Sequence, residues 1–238
     1  MTIKYKQNII DLTHTIGLNI PVWPSGSFSE KYSTVTITNY KTDGFYSRLL
    51  NIPEHFGTHI DAPAHGWEGK LTIDQIPLDN LIIPAVVISV QEKVMNNPDY
   101  ALTVNDILEW EKRFGLIQNN SVVLMHSGWS NYWNEPKLYL NQDEKGVMHF
   151  PGFSEEAVKF LIDERNINGI GVETLSIDCG FSTDFPVHKI LFEANKYALE
   201  NLADIGKLPP LGATLIVAPL KLEGGSGSPV RVFAMCNK

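Results

Sequence analysis

Apolar and polar positions alternate in twos over Tyr32 to Tyr40 (YSTVTITNY), the period of a strand, and Tyr46 to Ile52 supplies a second run fit to pair with it. Farther on, Ala85 to Val90 follows Pro84 as an apolar strand, and Val122 to Met125 reads as a buried one. The pattern then changes to a helical period. Thr103 with Asp106 three residues on makes a weak capping box, Ile107, Leu108, Trp110 and Phe114 form the apolar face, and Gly115 ends the helix. Ser154 caps a second helix with Glu155 and Glu156 in its first turn, where the helix dipole favours acids, and Val158, Leu161 and Ile162 mark its stripe. Gly169 to Ile177 is expected as another strand and Lys189 to Asn201 as a third helix. The chain closes with two strands, ATLIVAPLKL and SPVRVFAMC, joined by a GGSG loop. Strands mixed with helices, and strands adjacent at both ends, predict an α/β fold with a mixed sheet. No linker or repeat divides the chain, so one domain over residues 1–238 is expected.

Composition narrows the classes. Apolar residues make up 43% and charged residues 19%, a globular balance. The net charge of −8, with no basic patch, argues against nucleic acid as a partner. The apolar run from Leu81 to Val90 is about half of a membrane span and contains Pro84, and the first residues have no apolar stretch of signal-peptide length. Cys179 and Cys236 are too few for a disulfide framework. A cytoplasmic protein acting on a small molecule is the expectation.

The chemistry is concentrated in one segment. His55 to His65 reads HFGTHIDAPAH, three imidazoles and a carboxylate in eleven residues of a chain with seven histidines. His59 and Asp61 are two apart and project to one side of an extended segment. Gly57 and Pro63 argue against a helix, so a bend at Gly57, held by the Thr58 hydroxyl, is expected to return His55 towards His59. Two imidazoles and one carboxylate suit zinc or manganese better than calcium or magnesium, and three protein ligands leave positions open for chemistry. A lone histidine is ordinarily a packed or surface residue, which is how His14, His126 and His149 are read. A divalent ion lowers the pKa of a bound water from about 15.7 towards about 7, and the resulting hydroxide can attack a carbonyl carbon. His65 is then the first candidate to carry the proton, and His188 the second. The fragment of G-x-S-x-G at Gly225 to Gly227 lacks the strand-to-helix setting of a nucleophile elbow. Trp23, in the proline-bracketed PVWPSG, is a candidate wall for an aromatic substrate, with Trp129 and Trp133 weaker ones.

The string H-x-G-T-H-x-D-x-P-x-H resembles the hallmark of the cyclase family of metal-dependent hydrolases, which includes bacterial kynurenine formamidases and isatin hydrolases. The resemblance runs along nearly the whole chain. DLTHTIGLNIPVWPSG (Asp11 to Gly26) is similar to the family's opening strand and loop. HSGW (His126 to Trp129), MHFPGF (Met148 to Phe153), ETLSID (Glu173 to Asp178) and GGSGSPVRVFA (Gly224 to Ala234) resemble the isatin hydrolase branch. The resemblance implies a single domain with a mixed, barrel-like β-sheet surrounded by helices. It implies His55, His59 and Asp61 as metal ligands, and His65 as a catalytic residue in one branch or a ligand of a second ion in the other. His188 and Glu200 fall where formamidases carry further ligands of a two-zinc centre, whereas the isatin hydrolase branch implies a single manganese. Glu200 could equally accept a hydrogen bond from His65. The implied activity is hydrolysis of a C–N bond in an aryl formamide or a cyclic amide, in a homodimer or larger homo-oligomer. Alternatives are a lactone or ester hydrolase on the same centre, or a non-catalytic metal-binding protein of the same fold.

Overall fold

The computed structural model describes residues 7–24 and 32–237. In chain order its strands are β1 (Gln7–Asp11), β2 (Ser33–Thr38), β3 (Ser47–Asn51), β4 (His59–Asp61), β5 (Ile82–Ser89), β6 (Ala101–Leu102), β7 (Val122–His126), β8 (Gly152–Phe153), β9 (Gly169–Val172), β10 (Tyr197–Glu200), β11 (Ala213–Pro219) and β12 (Gly227–Asn237). The helices are α1 (Tyr40–Asp43), α2 (Gln91–Asn96), α3 (Val104–Phe114), α4 (Pro136–Leu140), α5 (Glu155–Arg165) and α6 (Pro186–Glu193). Seven strands form a ring in the order β12, β11, β5, β7, β9, β10, β4, and β4 returns to β12 to close it. The long β12 pairs with β4 at its start and with β1 at its end, so both share one of its edges. β5, β7, β9 and β10 are parallel, the rest antiparallel. The expected mixed barrel with surrounding helices is what forms.

Alternation along the strands divides the core in two. Ala85, Val87, Val122 and Leu124 pack with Ile60, Leu199 and Leu215, a cluster without residues of the α-helices, which is the barrel interior. Their neighbours Val86, Ile88, Val123 and Met125 pack against Ile107, Trp110, Leu161 and Phe192 of the helices. Strands buried on both faces explain the unbroken apolar runs of β5 and β7. Thr103 caps α3 with the reciprocal Asp106 bond, and the Ser154 hydroxyl accepts the Ala157 N–H to cap α5.

Three expectations are corrected. The helix over Lys189 to Asn201 is instead α6 followed by β10. The chain leaves the helix at Glu193, turns through Asn195 at φ 56°, and pairs Tyr197–Glu200 with β9 and β4. Two hydrogen-bonded neighbours outweigh the helical propensity of the YALE run. The strand expected over Gly169 to Ile177 stops at Val172, because the Glu173 carboxylate accepts bonds from the Ser127 and Gly128 N–H groups and from the Ser127 and Ser130 hydroxyls. Leu108 and Phe114 lie on the exposed side of α3, which buries Ile107 and Trp110. The predicted pair β2–β3 forms, but as a separate ribbon off the barrel that leaves Val35, Ile37, Leu49 and Leu50 exposed.

Candidate metal centre and its cavity

The barrel-closing strand β4 carries the histidine motif. Ile60 points into the barrel, so His59 and Asp61 share the opposite face. In register, Glu200 of β10 lies directly across from His59, and Ala198 across from Asp61. On the other side Gly227 of β12 faces Asp61, and a Cβ there would come within 2.6 Å of the His55 ring. The expected bend at Gly57 is present at φ +64°, and a Cβ would meet Ile16 Cγ1 at 3.1 Å. The Thr58 hydroxyl secures this bend, donating to the Asn201 carbonyl (2.6 Å) and accepting the His14 N–H (3.0 Å). Pro63 opens a 3-10 turn, Pro63–His65, that folds the His65 ring onto His55 at 3.8 Å between centroids.

These elements bring together residues that are far apart in sequence. His55 Nδ1 lies 2.5 Å from Asp61 Oδ1, and His59 Nε2 lies 3.2 Å from the same oxygen and 3.4 Å from Glu200 Oε2. His188, presented by α6, places Nε2 3.2 Å from Glu200 Oε1 and 3.7 Å from Asp61 Oδ2. Two sets of donors result, His55, His59 and Asp61, and Asp61, His188 and Glu200, each with its ligand atoms within 4.8 Å of one another. Asp61 belongs to both sets and His65 to neither. The contact considered between Glu200 and His65 is not made; Glu200 is engaged by His59, His188 and the Ile177 N–H instead.

The donor chemistry fits a divalent cation. Asp61 and Glu200 are 1% and 4% exposed, and among the described residues no lysine or arginine pairs with either. Positive charge is drawn to the imidazoles instead. Burial opposes protonation of His59, but Asp61 and Glu200 outweigh it and hold its pKa up at about 10. Burial likewise opposes charge on His188, and the bond to Asp178, with Asp61 and Glu200, raises it well above the ordinary value. Burial raises Asp61, but His59 and His55 overcome this and hold it well below the usual carboxylate range. His65 differs. Burial, with the nearby His55 and His188, lowers its pKa against the pull of Asp61 and Glu200 and keeps it a neutral base.

A cavity of about 470 Å³ opens above the centre, lined by His55, His59, Asp61, His65, His188 and Glu200. Its walls include Trp23, Phe56, Phe185 and Phe192. Trp23 and Phe185 pack with centroids 5.7 Å apart, and Phe185 adopts φ 51° just before Pro186. Trp129 and Trp133, weighed as further walls, lie elsewhere. Both are buried, Trp129 bonding the Tyr139 carbonyl and Trp133 stacking on His14 at 4.1 Å.

Sequence reasoning passed over Asp178. It is 2% exposed and accepts from His188 Nδ1 (2.6 Å), the His188 N–H (3.2 Å) and the Val187 N–H (2.9 Å). Only the local string ETLSID contained it, and no spacing rule links an aspartate to a histidine ten residues on across a loop. Ser226 was set aside as a nucleophile, and its hydroxyl bonds Glu54 (2.6 Å) and His55 Nε2 (2.9 Å). The Ser226–His55–Asp61 alignment resembles a triad, yet Ser226 does not line the cavity.

A closed mixed barrel whose closing strand gathers nitrogen and carboxylate donors beneath an aromatic cavity defines a metal-dependent hydrolase. The chain belongs to the cyclase family, whose model, described as Putative cyclase, matches residues 10–179. It is 34% identical to the isatin hydrolase of Roseibium aggregatum, over 97% of this chain and 92% of that protein. A crystal structure of an isatin hydrolase bound to the product analogue thioisatinate superposes with a TM-score of 0.91 at 33% identity, covering 98% and 94% of the two chains. The kynurenine formamidase of Salinibacter ruber is 25% identical over 94% of this chain and 95% of its own. Among the described residues no helix is long and apolar enough to cross a membrane.

Proposed function

We propose that this enzyme hydrolyses the C–N bond of a small aromatic cyclic amide of the isatin type, with aryl formamides such as N-formylkynurenine as the second substrate class. The observation that carries the reading is the donor-lined floor of an aromatic-walled cavity large enough for a bicyclic substrate. His55, His59 and Asp61 would hold a divalent ion, Mn²⁺ or Zn²⁺, which when bound polarises a carbonyl and acidifies water. Trp23 and Phe185, packed on each other at a tilt, would form one aromatic wall for the substrate ring and turn its carbonyl towards the floor. His65, held neutral, accepts a proton from the attacking water and returns it to the leaving nitrogen. His188, kept protonated by Asp178 and the two carboxylates, has no free site to accept a proton and is the better partner for negative charge. In a two-ion enzyme Asp61, His188 and Glu200 would hold the second ion.

Elemental analysis of protein purified without added metal gives the count, near one per chain for the first set alone and near two for both. Isatin, N-formylkynurenine and an unsaturated lactone assayed side by side test the substrate class. His59→Ala should lose both metal and turnover; full activity in metal-free protein would refute the reading. A lactone turned over in preference to either amide would shift the assignment to ester chemistry.

We infer a homodimer in the cytoplasm. Both cysteines are free thiols, as a reducing compartment allows. The β2–β3 ribbon exposes Val35, Ile37, Leu49 and Leu50, with Phe45 and Tyr46 at its tip. A stable interface buries about 800 Å² per partner, and this ribbon would supply its apolar centre. Light scattering should give twice the chain mass, and Leu49→Lys should halve it.

A further inference from the structure

Tyr139 is completely buried and does not line the cavity, yet it is linked to the centre through two hydrogen bonds. Its hydroxyl reaches Asn201 Oδ1 at 2.9 Å, and Asn201 Nδ2 donates to the Gly57 carbonyl at 2.9 Å. That same carbonyl faces His59 Nδ1, also at 2.9 Å. Asn201 is 2% exposed, adopts φ 55°, and follows Glu200 directly in the chain. Its backbone is fixed as well, the N–H donating to the Thr174 carbonyl (3.0 Å) and the carbonyl accepting the Thr58 hydroxyl.

The direction of these bonds decides what they do. A carbonyl only accepts, so Gly57 keeps a proton on His59 Nδ1, and the nitrogen left to exchange its proton for an ion is Nε2, which faces Asp61 and Glu200. Asn201 braces the same carbonyl from its second lone pair. The single proton of the Tyr139 hydroxyl is shared between the Glu173 carbonyl and Asn201 Oδ1, and its bond to Oδ1 holds the amide with Nδ2 towards Gly57. A flipped amide would set Oδ1 against the Gly57 oxygen, acceptor against acceptor. Tyr139 cannot drift, because its ring meets Trp133 edge-on at 5.3 Å and its carbonyl receives the Trp129 indole N–H at 2.9 Å.

We propose that Tyr139 and Asn201 are positioning residues that set the direction of the His59 ligand nitrogen through the Gly57 carbonyl, and thereby the affinity for the metal. The proposal rests on His59 being a ligand. It gives the tryptophans of the Trp129 to Trp133 segment a task, holding the far end of this bridge rather than walling the cavity.

The test compares wild type, Tyr139→Phe, Asn201→Asp and His59→Ala, each stripped of metal and titrated with Zn²⁺ or Mn²⁺ against a chromophoric chelator. Tyr139→Phe keeps the ring and removes only the hydroxyl; Asn201→Asp sets a carboxylate oxygen against the Gly57 carbonyl. Each should weaken metal affinity about tenfold, the effect expected of a lost partner to a ligating histidine. Both should regain most of wild-type kcat at saturating metal. Ile107→Ala, a core truncation in α3, should lower the melting temperature without changing metal affinity, which separates orientation from general loosening. Affinity within twofold of wild type in either folded bridge variant overturns the proposal, while loss of binding in His59→Ala leaves the ligand assignment standing. If wild type binds no metal, both fall.

Discussion

Asp178→Asn removes one charge and almost no volume, and its consequences can be worked out atom by atom. Asp178 Oδ2 accepts from His188 Nδ1 and the His188 N–H, and Oδ1 accepts from the Val187 N–H. An asparagine has only one acceptor atom for these three donors. With the amide oxygen towards Val187, its NH₂ confronts the ring and the His188 N–H; with the oxygen towards His188, the NH₂ confronts Val187. At least one buried donor is stranded, costing about 1–3 kcal/mol. The first arrangement matters more. An NH₂ donating to Nδ1 removes the support for the imidazolium and leaves a neutral ring with its one proton on Nε2, so His188 carries no charge and cannot ligate an ion through that nitrogen. The same tautomer error in serine hydrolase triads costs about 10⁴ in kcat, and outer partners of metal ligands about 10–100-fold. His188 is a secondary group here, so about 100-fold in kcat/KM is expected. Melting temperature should fall by about 4–8 °C for the middle of the stability range, at 2–4 °C per kcal/mol for a chain of this size. The assay is turnover of isatin followed by absorbance, with metal content and thermal unfolding measured on the same samples. Activity within threefold of wild type in a fully folded Asp178→Asn protein would refute the role given to the Asp178–His188 pair.

Two further outcomes follow from the geometry. Burial lowers the His14 pKa from 6.5 to about 4, against the smaller pull of Asp204, so the unfolded chain binds a proton there that the folded chain does not. Stability from this residue is full above pH 6.5 and is lost as pH falls towards 4, on the order of 3 kcal/mol in all. Urea unfolding at pH 7.5 and 4.5 should therefore give a smaller difference for His14→Phe than for wild type, and equal differences would contradict it. Gly57→Ala places a side chain at positive φ against Ile16, costing about 1–2 kcal/mol. It should also weaken metal binding, because it tilts the carbonyl that orients His59; an unchanged melting temperature would show that the bend tolerates a Cβ.

The clustering of the histidine motif was legible in the sequence because its geometry is local. The alternation of His59 and Asp61, the bend at Gly57 and the turn at Pro63 all arise from neighbours within a few residues. The capped helices α3 and α5 were legible for the same reason. What failed was decided by distant partners. Tyr197–Glu200 has the composition of a helix end, and only pairing with β9 and β4 makes it a strand. Glu173 ends β9 early through donors 43 to 46 residues away. Trp129 and Trp133 look like substrate walls on composition, but packing on Tyr139 and His14 turns them inward. Asp178 escaped notice because a carboxylate has no signature until the chain folds around its histidine.

The position of the motif on β4 ties chemistry to the closure of the fold. β4 has three residues and pairs with β10 on one side and β12 on the other, so it is the piece that completes the ring. Before closure His59 and Asp61 face neither Glu200, which arrives on β10, nor His188, which arrives on α6. Bringing two buried carboxylates together without compensation is costly, and here the available compensation is positive charge on the imidazoles or a cation. A bound ion therefore stabilises the closed ring and not the open chain, by RT ln(1 + [L]/Kd), or about 2.7 kcal/mol at a hundredfold excess over Kd. Under the proposed function that coupling would place the metal among the forces that hold the barrel shut, and it would let a strand too short to persist alone carry His59 and Asp61.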